Sequence, residues 1–172
     1  MRTSTRWLSQ LLAAGLLLAG PALAGSMPAT AASPHGFDEL KALAGNWQGK
    51  TAEGKVTRIS YEVEAGGTAV VERLHGEGEP SMVTVYYPDG DRLMLTHYCT
   101  LGNHPRLRSE PPAAGSQVTF AFLDGTNMKS AGEAHMHRLK VTFRDKDHFS
   151  QEWTMRQEGK EISLTTEFER VR

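Results

Sequence analysis

Two short motifs carry the side chains that are best suited to chemistry in this sequence. The tripeptides HYC at 97–99 and HMH at 135–137 each place two such side chains at positions i and i+2. Successive side chains of a β-strand point to opposite faces, so positions i and i+2 point the same way. If both segments are strands that face one cavity, three imidazoles and one thiol converge there.

Three kinds of chemistry fit such a cluster. Neutral histidine and cysteine thiolate bind Zn²⁺ or copper, so His97, Cys99, His135 and His137 form a candidate metal site. The same groups also suit the mouth of an apolar ligand cavity, where a few polar side chains fix the ligand. Catalysis is the third alternative, because histidine titrates near neutral pH and Cys99 is a candidate nucleophile. The sequence contains no G-x-S-x-G, H-E-x-x-H or glycine-rich phosphate motif, so no catalytic residue is assigned.

The elements that must position these groups are strands. From Trp47 onward, short β-rich runs alternate with nine turn signals, which predicts ten strands. Most loops have hairpin length, which favours an antiparallel meander, and closure of the meander would remove its exposed edges. The sequence therefore predicts an all-β fold, a closed antiparallel meander β-barrel of about ten strands. A short helix at about 37–44 is expected to precede the barrel and to close one end.

The alternation of apolar residues predicts which way the motifs point. The inward stripe of the fifth strand continues to His97 and Cys99, and the stripe of the eighth strand extends back to His137 and His135. All four side chains are therefore expected to face the interior. Met136 alternates against this set and is expected on the outside.

Both motifs are predicted to lie at the same mouth of the barrel. In a meander, the end of the fifth strand (about 91–99) and the start of the eighth (about 134–143) fall at one end, because successive strands run in opposite directions. Asn103 and Arg106 follow the fifth strand and are further candidates for ligand binding. His148 begins the ninth strand and is expected at the opposite end.

The end of the barrel away from the motifs is expected to be closed. The helix leads there, Trp47 begins the first strand, and Arg170 lies late in the tenth strand at the same end. An arginine stacked over a tryptophan contributes a cation–π contact of about 1 kcal/mol. Charged residues on the strands, Glu72 among them, are predicted to form a solvated outer face.

The first 24 residues have the features of a secretory signal peptide. Arg2 and Arg6 precede a short apolar core, and an A-x-A sequence at 22–24 is typical of a cleavage site. The apolar core is too short to span a bilayer, and no other run approaches that length. We therefore expect export to the periplasm or the medium, with a flexible leader at 25–36 and the barrel domain over 37–172.

Composition limits the function classes further. Cleavage would leave 148 of the 172 residues, with 17 basic and 20 acidic side chains, a size that suits one domain. The chain has no basic run, which argues against nucleic-acid binding. The single cysteine cannot form an intrachain disulfide. A closed barrel offers no strand edge for pairing, so a monomer is expected.

Several segments resemble a known family. The G-N-W sequence at 45–47, with Arg170 on the last strand, resembles the lipocalin or calycin superfamily, in which a G-x-W packs against a late arginine at the closed end. The run MVTVYYPDGDRLMLTHYCTLGNHPRL at 82–107 is similar to a family of exported bacterial proteins of unknown function with a calycin-like barrel. The segments at 37–50 and 147–153 fit the same family. The resemblance implies a fold and a compartment more than an activity.

The resemblance also bears on cofactors. Unlike typical lipocalins, the chain has no disulfide pair. It is similar in strand count to the haem-binding barrels called nitrobindins, but their haem-ligating histidine near the chain end has no counterpart, since the last histidine is His148. Haem is therefore not expected, and zinc or copper would be the cofactor if the barrel binds a metal.

Our leading hypothesis from the sequence is an exported β-barrel that binds a small apolar or amphipathic ligand at one mouth. The alternative is a metal-binding barrel, with or without catalytic activity, that uses the two motifs. The residues predicted to bind the ligand are His97, Cys99, Asn103, Arg106, His135 and His137.

Overall fold

The computed structural model describes residues 33–51, 54–76, 78 and 80–172. The predicted signal peptide at 1–24 and most of the predicted leader lie outside these residues. Among the described residues, no helix is long and apolar enough to cross a membrane.

Within these residues the fold consists of one short helix, one 3₁₀ turn and ten strands. The helix α1 spans Phe37–Ala42, and the 3₁₀ turn spans Ala65–Gly67. The strands are β1 (Gly45–Lys50), β2 (Val56–Glu64), β3 (Ala69–Gly76), β4 (Met82–Asp89), β5 (Arg92–Tyr98), β6 (His104–Ser109), β7 (Gln117–Thr126), β8 (His135–Asp145), β9 (His148–Gln157) and β10 (Lys160–Arg170).

The strands form a closed antiparallel barrel. Each strand pairs with its neighbours in sequence, and β1 pairs with β10 to complete the ring. Local sequence supports this arrangement at the hairpins. The turn between β9 and β10 has two residues, Glu158 and Gly159, with φ angles of 49° and 78°. Such left-handed pairs match the twist of antiparallel strands, which explains the glycine. The predicted ten-stranded meander is confirmed.

One end of the barrel is closed, as the sequence predicts. Trp47 on β1 pairs directly with Arg170 on β10, and the guanidinium carbon lies 4.0 Å from the centroid of the indole ring. The indole nitrogen donates a hydrogen bond of 2.7 Å to the carbonyl of Leu43, which directly follows the helix. Arg170 also donates to the carbonyls of Ala42 and Ala44. These contacts join the first strand, the last strand and α1 into a plug.

The core fills the half of the barrel next to α1. Large side chains from all around the wall meet there, because the interior positions of narrow barrels are packed with side chains. The largest apolar ones that are fully buried are Trp47, Ile59, Tyr61, Tyr86, Leu93, Leu95, Leu107, Phe120, Leu139 and Phe149. The other half of the barrel is less completely filled, and the candidate site lies in it.

Candidate functional site

A cavity of about 440 Å³ occupies the half of the barrel opposite α1. Its walls are mainly apolar and include Leu74, Met82, Met136, Trp153, Met155 and Leu164. The volume lies within the range of about 300–1,000 Å³ that is common for small-molecule sites. The cavity contains only a few polar groups, which is also typical of such sites.

The cavity opens to solvent at the mouth. Ile162 pairs with Met155 and Leu164 pairs with Trp153 across β9 and β10, so all four side chains share the inward face. Ile162 and Leu164 are nevertheless 66% and 46% exposed. Apolar side chains that face the interior of a barrel and still contact water indicate that the mouth is open.

His97 is the central polar residue of this cavity. It lies on β5, is only 3% exposed, and packs its ring against Trp153 at a centroid distance of 4.9 Å. Its Nδ1 atom is 2.9 Å from the hydroxyl of Thr84. Its Nε2 atom is buried and has no hydrogen-bond partner in the described part of the chain. A polar atom is thus held at the wall of an apolar cavity with one hydrogen bond unmade.

Burial controls the charge of this histidine. Desolvation is the main cause that lowers the pKa of His97 from 6.5 to about 4, and the nearby His104 adds a smaller effect in the same direction. At neutral pH the imidazole is therefore uncharged. A neutral imidazole has one N–H donor and one lone-pair acceptor, and the contact at Nδ1 decides which of these Nε2 presents.

A buried glutamate lies beneath the cavity. Glu72 on β3 is 1% exposed, and its Oε2 atom accepts hydrogen bonds from three side chains. Tyr61 and Tyr86 donate their phenolic protons at 2.8 and 2.6 Å, and Gln151 donates an amide proton at 2.8 Å. Desolvation raises the pKa of Glu72 above its ordinary value, and the hydrogen bonds from its neighbours offset only part of that rise.

The position of Glu72 contradicts the sequence-based prediction of a solvated outer face. Val70 and Leu74 flank it at i−2 and i+2, and it pairs directly with Tyr61. Alternation along β3 therefore turns it inward with these apolar neighbours, and burial of the charge is tolerated because several donors surround it. The apolar flanks at i±2 were the signal in the sequence that identifies an inward glutamate.

Neither histidine of the HMH motif lines the cavity. A register shift between Met136 and Arg138 interrupts the pairing of β8 with β9. As a result Met136 pairs with Met155 and lines the cavity, whereas His135 pairs with Arg156 on the other face. The extra residue of such a bulge reverses the alternation on one side of it. The prediction that Met136 points outward is therefore wrong, and neither histidine reaches the cavity, although His135 is only 3% exposed and packs against Phe122.

The predicted metal site is not assembled. Within the described ranges, no group of three or more His, Cys, Asp or Glu side chains is arranged to hold a metal ion. His135 Nε2 and His137 Nδ1 lie 3.1 Å apart and bond to each other, while His97 bonds to Thr84. The four-ligand combination of His97, Cys99, His135 and His137 fails because the bulge in β8 moves one pair away from the cavity.

Cys99 and Asn103 shape the loop between β5 and β6. Cys99 directly follows β5, is buried, and accepts a backbone hydrogen bond of 3.0 Å from Gly102. Asn103 is buried and donates a hydrogen bond of 2.8 Å to the carbonyl of Ala134, just before β8. The two motif-bearing segments therefore do meet at one mouth, as predicted, but Asn103 joins their loops instead of facing the cavity.

Among the described residues, His97 is the only one of the six predicted ligand-binding residues that lines the cavity. Arg106 on β6 forms a bidentate pair with Asp124 on β7, with N–O distances of 2.6 and 2.5 Å. The Asp124 partner raises the pKa of Arg106, and the arginine in turn lowers the pKa of Asp124. The sequence analysis missed Thr84 and the role of Met136, and it overlooked the apolar flanks that place Glu72 inward.

Replacing Arg106 with alanine is expected to have a small effect. Its side chain is 43% exposed, and water screens the charges of such a solvated ion pair. We expect the midpoint of urea unfolding to change little and probe binding in the cavity to stay unchanged. Urea unfolding and a fluorescence titration of the probe check this. A loss of affinity for the probe would show that Arg106 contributes to ligand binding.

Comparisons with known proteins support the fold. No family model and no curated protein matches this chain. A crystal structure of a protein of unknown function from the DUF3598 family of Nostoc punctiforme aligns with a TM-score of 0.52 and 12% identity, over 77% of this chain and 49% of that one. Rv2717c from M. tuberculosis aligns with a TM-score of 0.52 and 17% identity, over 79% of this chain and 97% of that one.

These similarities establish a shared barrel fold and nothing about activity. Identities of 12% and 17% are too low to carry a function from one protein to another. The chain also spans about half the length of the Nostoc protein. Any functional conclusion must therefore come from the cavity itself.

Proposed function

We propose that this protein is an exported, calycin-like barrel that binds a small, mainly apolar ligand in the cavity at its open mouth. The observation that supports this most strongly is the Nε2 atom of His97, buried at the wall of an apolar cavity without a partner among the described residues. Leaving a buried polar group unpaired costs about 1–3 kcal/mol. A ligand that supplies the missing hydrogen bond recovers part of this free energy.

The shape and lining of the cavity fit the same conclusion. Its volume of about 440 Å³ accommodates a molecule of up to roughly twenty heavy atoms. The apolar side chains of Ile162 and Leu164 contact solvent at the mouth, and a bound ligand would cover them. Burial of apolar surface contributes about 25 cal/mol per Å² removed from water.

Export is the second part of the proposal. It rests on the signal-peptide pattern of the first 24 residues, in which the positively charged Arg2 and Arg6 precede a short apolar core. A protein with one cysteine needs no disulfide to fold in an oxidising compartment. Immunodetection of a shortened chain in the periplasmic or secreted fraction of the native host tests this part, and a full-length chain confined to the cytoplasm contradicts it.

Narrowing the cavity is expected to weaken binding of a neutral apolar probe. In Leu164→Trp, the larger side chain occupies space on the inward face of β10, so the affinity for N-phenyl-1-naphthylamine should fall by about tenfold or more, which corresponds to ~1.4 kcal/mol. Fluorescence enhancement of the probe measures the affinity.

The neighbouring residue provides a matched control. Thr165 is exposed and pairs with Glu152 on the other face of the same strand. Thr165→Trp should therefore keep the affinity within about twofold, since it adds the same side chain outside the barrel. Equal losses in both variants, or binding that neither variant changes, would contradict a site in this cavity. If only Leu164→Trp loses affinity, native mass spectrometry of the protein from its own host identifies the bound compound.

A further inference from the structure

Three methionines line the same cavity as His97. These cavity methionines are Met82 on β4, Met136 on β8 and Met155 on β9, and each is partly buried. Met136 pairs directly with Met155, so the two side chains share the inward face of the wall. The wall therefore carries thioether sulfur atoms as well as hydrocarbon groups.

The strand register places the cavity methionines around His97. Thr84 pairs directly with His97, and Met82 lies two residues before Thr84 on the same face of β4. From β9, the ring of Trp153 packs against the imidazole at a centroid distance of 4.9 Å, and Met155 lies two residues after Trp153. The imidazole thus has sulfur-bearing positions beside it on β4 and across the barrel on β9.

The Nε2 atom of His97 is the second observation that points to an occupant. His97 is only 3% exposed, and this atom has no hydrogen-bond partner in the described part of the chain. The contact with the hydroxyl of Thr84 uses Nδ1 alone. Because a hydroxyl can accept a hydrogen bond as well as donate one, it can hold a proton on Nδ1 while Nε2 binds a metal ion.

The donor set favours a soft ion that carries a single charge. Thioether sulfur and imidazole suit Cu⁺, whereas Mg²⁺ and Ca²⁺ require oxygen ligands. Among the described residues, no Asp, Glu or Cys lines the cavity, and the single charged lining residue is the exposed Lys55, a cation. A divalent ion would therefore find no anionic ligand there to offset its charge.

We propose that the cavity binds one Cu⁺ ion, or its analogue Ag⁺, through Nε2 of His97 and the sulfur atoms of the cavity methionines. This inference goes beyond the proposed function, because the occupant is a metal ion and not an organic molecule. Methionine has three rotatable side-chain bonds, so the sulfur atoms can turn towards the ion without a change in the backbone. The neighbouring indole of Trp153 adds a ring face that attracts cations.

Competition with a coloured chelator measures the affinity for the ion. Under anaerobic conditions the purified protein should take one Cu⁺ per chain from its bicinchoninate complex. His97→Phe and the double variant Met136→Leu, Met155→Leu should each bind Cu⁺ about tenfold or more weakly, since loss of even an outer-sphere partner of a metal costs about that much. An equal concentration of Zn²⁺ should not displace the Cu⁺.

Two control variants separate this site from the other sulfur atoms of the chain. Met94→Leu makes the same change at a buried methionine that does not line the cavity, and Cys99→Ala removes the free thiol. Both should keep the affinity for Cu⁺ within about twofold. Leucine replaces methionine at small cost in a packed interior, so the test does not depend on His97→Phe alone. Loss of Cu⁺ binding in Cys99→Ala, with the methionine variants unchanged, would assign the ion to the thiol and overturn the inference.

The apolar probe distinguishes failure of this inference from failure of the proposed function. The double methionine variant should bind N-phenyl-1-naphthylamine within about twofold of the wild type, because leucine keeps the wall apolar and similar in volume. Probe binding without Cu⁺ binding overturns the inference and leaves the proposed function in place, as does Zn²⁺ that displaces the Cu⁺. Cu⁺ binding that depends on His97 and the cavity methionines, in a protein that does not bind the probe, supports the inference and overturns the proposed function.

Discussion

Replacing Trp47 with alanine is expected to lower the free energy of unfolding by about 3–5 kcal/mol, the usual loss for truncating a buried aromatic residue. The indole is buried against Phe149 at a centroid distance of 4.8 Å and donates to the carbonyl of Leu43. Its ring also supports the guanidinium of Arg170, which holds the end of α1. The substitution therefore removes apolar contacts, a hydrogen bond and the base of the plug at once.

Urea unfolding followed by circular dichroism measures this loss. Gln48→Ala is a suitable control, because Gln48 is the next residue on β1 and is exposed, so it should change stability by about 0.5 kcal/mol or less. A loss in Trp47→Ala no larger than in the control would show that the closed end does not depend on the indole. Arg170→Ala should lie between the two, since it removes the hydrogen bonds and the cation–π contact but leaves the indole buried.

The closed end was predictable because its determinants are local and strongly patterned. Trp47 follows the short helix directly, and Arg170 lies late in the final strand of a meander, which returns to the first strand. The turns between strands carry glycine and aspartate at hairpin spacing, so the strand count could also be read from the sequence. Closure then follows from the need to pair both edges of the sheet.

The candidate site was only partly predictable, and β8 shows why. Strict alternation assigns His135 and His137 to the inward face, but one extra residue between Met136 and Arg138 shifts the register. The bulge depends on how β8 fits β9, which is a tertiary property that no local pattern encodes. A single-residue slip was enough to exchange two imidazoles for a thioether at the cavity wall.

Glu72 shows a second reason why the site was only partly predictable from the sequence. Its charge favours an outward position, while its apolar neighbours at i±2 favour an inward one, and the second effect prevails. The outcome depends on donors from three other strands, Tyr61 on β2, Tyr86 on β4 and Gln151 on β9. A buried carboxyl group is stable only where such partners converge, and the sequence does not show that convergence.

Acidification is expected to destabilise the wild-type protein through His97. The folded-state pKa of this residue is about 4, below its ordinary value of 6.5, because burial disfavours the charged imidazole. Between these pH values the unfolded chain therefore binds more protons than the folded protein. The contribution of His97 to stability is complete above about pH 6.5 and is lost as the pH falls towards 4, by roughly 3 kcal/mol in total.

The comparison of wild type with His97→Phe isolates this contribution. Free energies of unfolding in urea at pH 7.5 and pH 4 should show a loss in the wild type that exceeds the loss in the variant by roughly 3 kcal/mol. Glu72 acts with the opposite sign, because its raised pKa means that its contribution is lost as the pH rises, but it is present in both proteins and cancels. His75→Phe, which replaces an exposed histidine on β3, serves as the control. Equal acid losses in wild type and His97→Phe would mean that burial does not keep the imidazole of His97 uncharged in the folded protein.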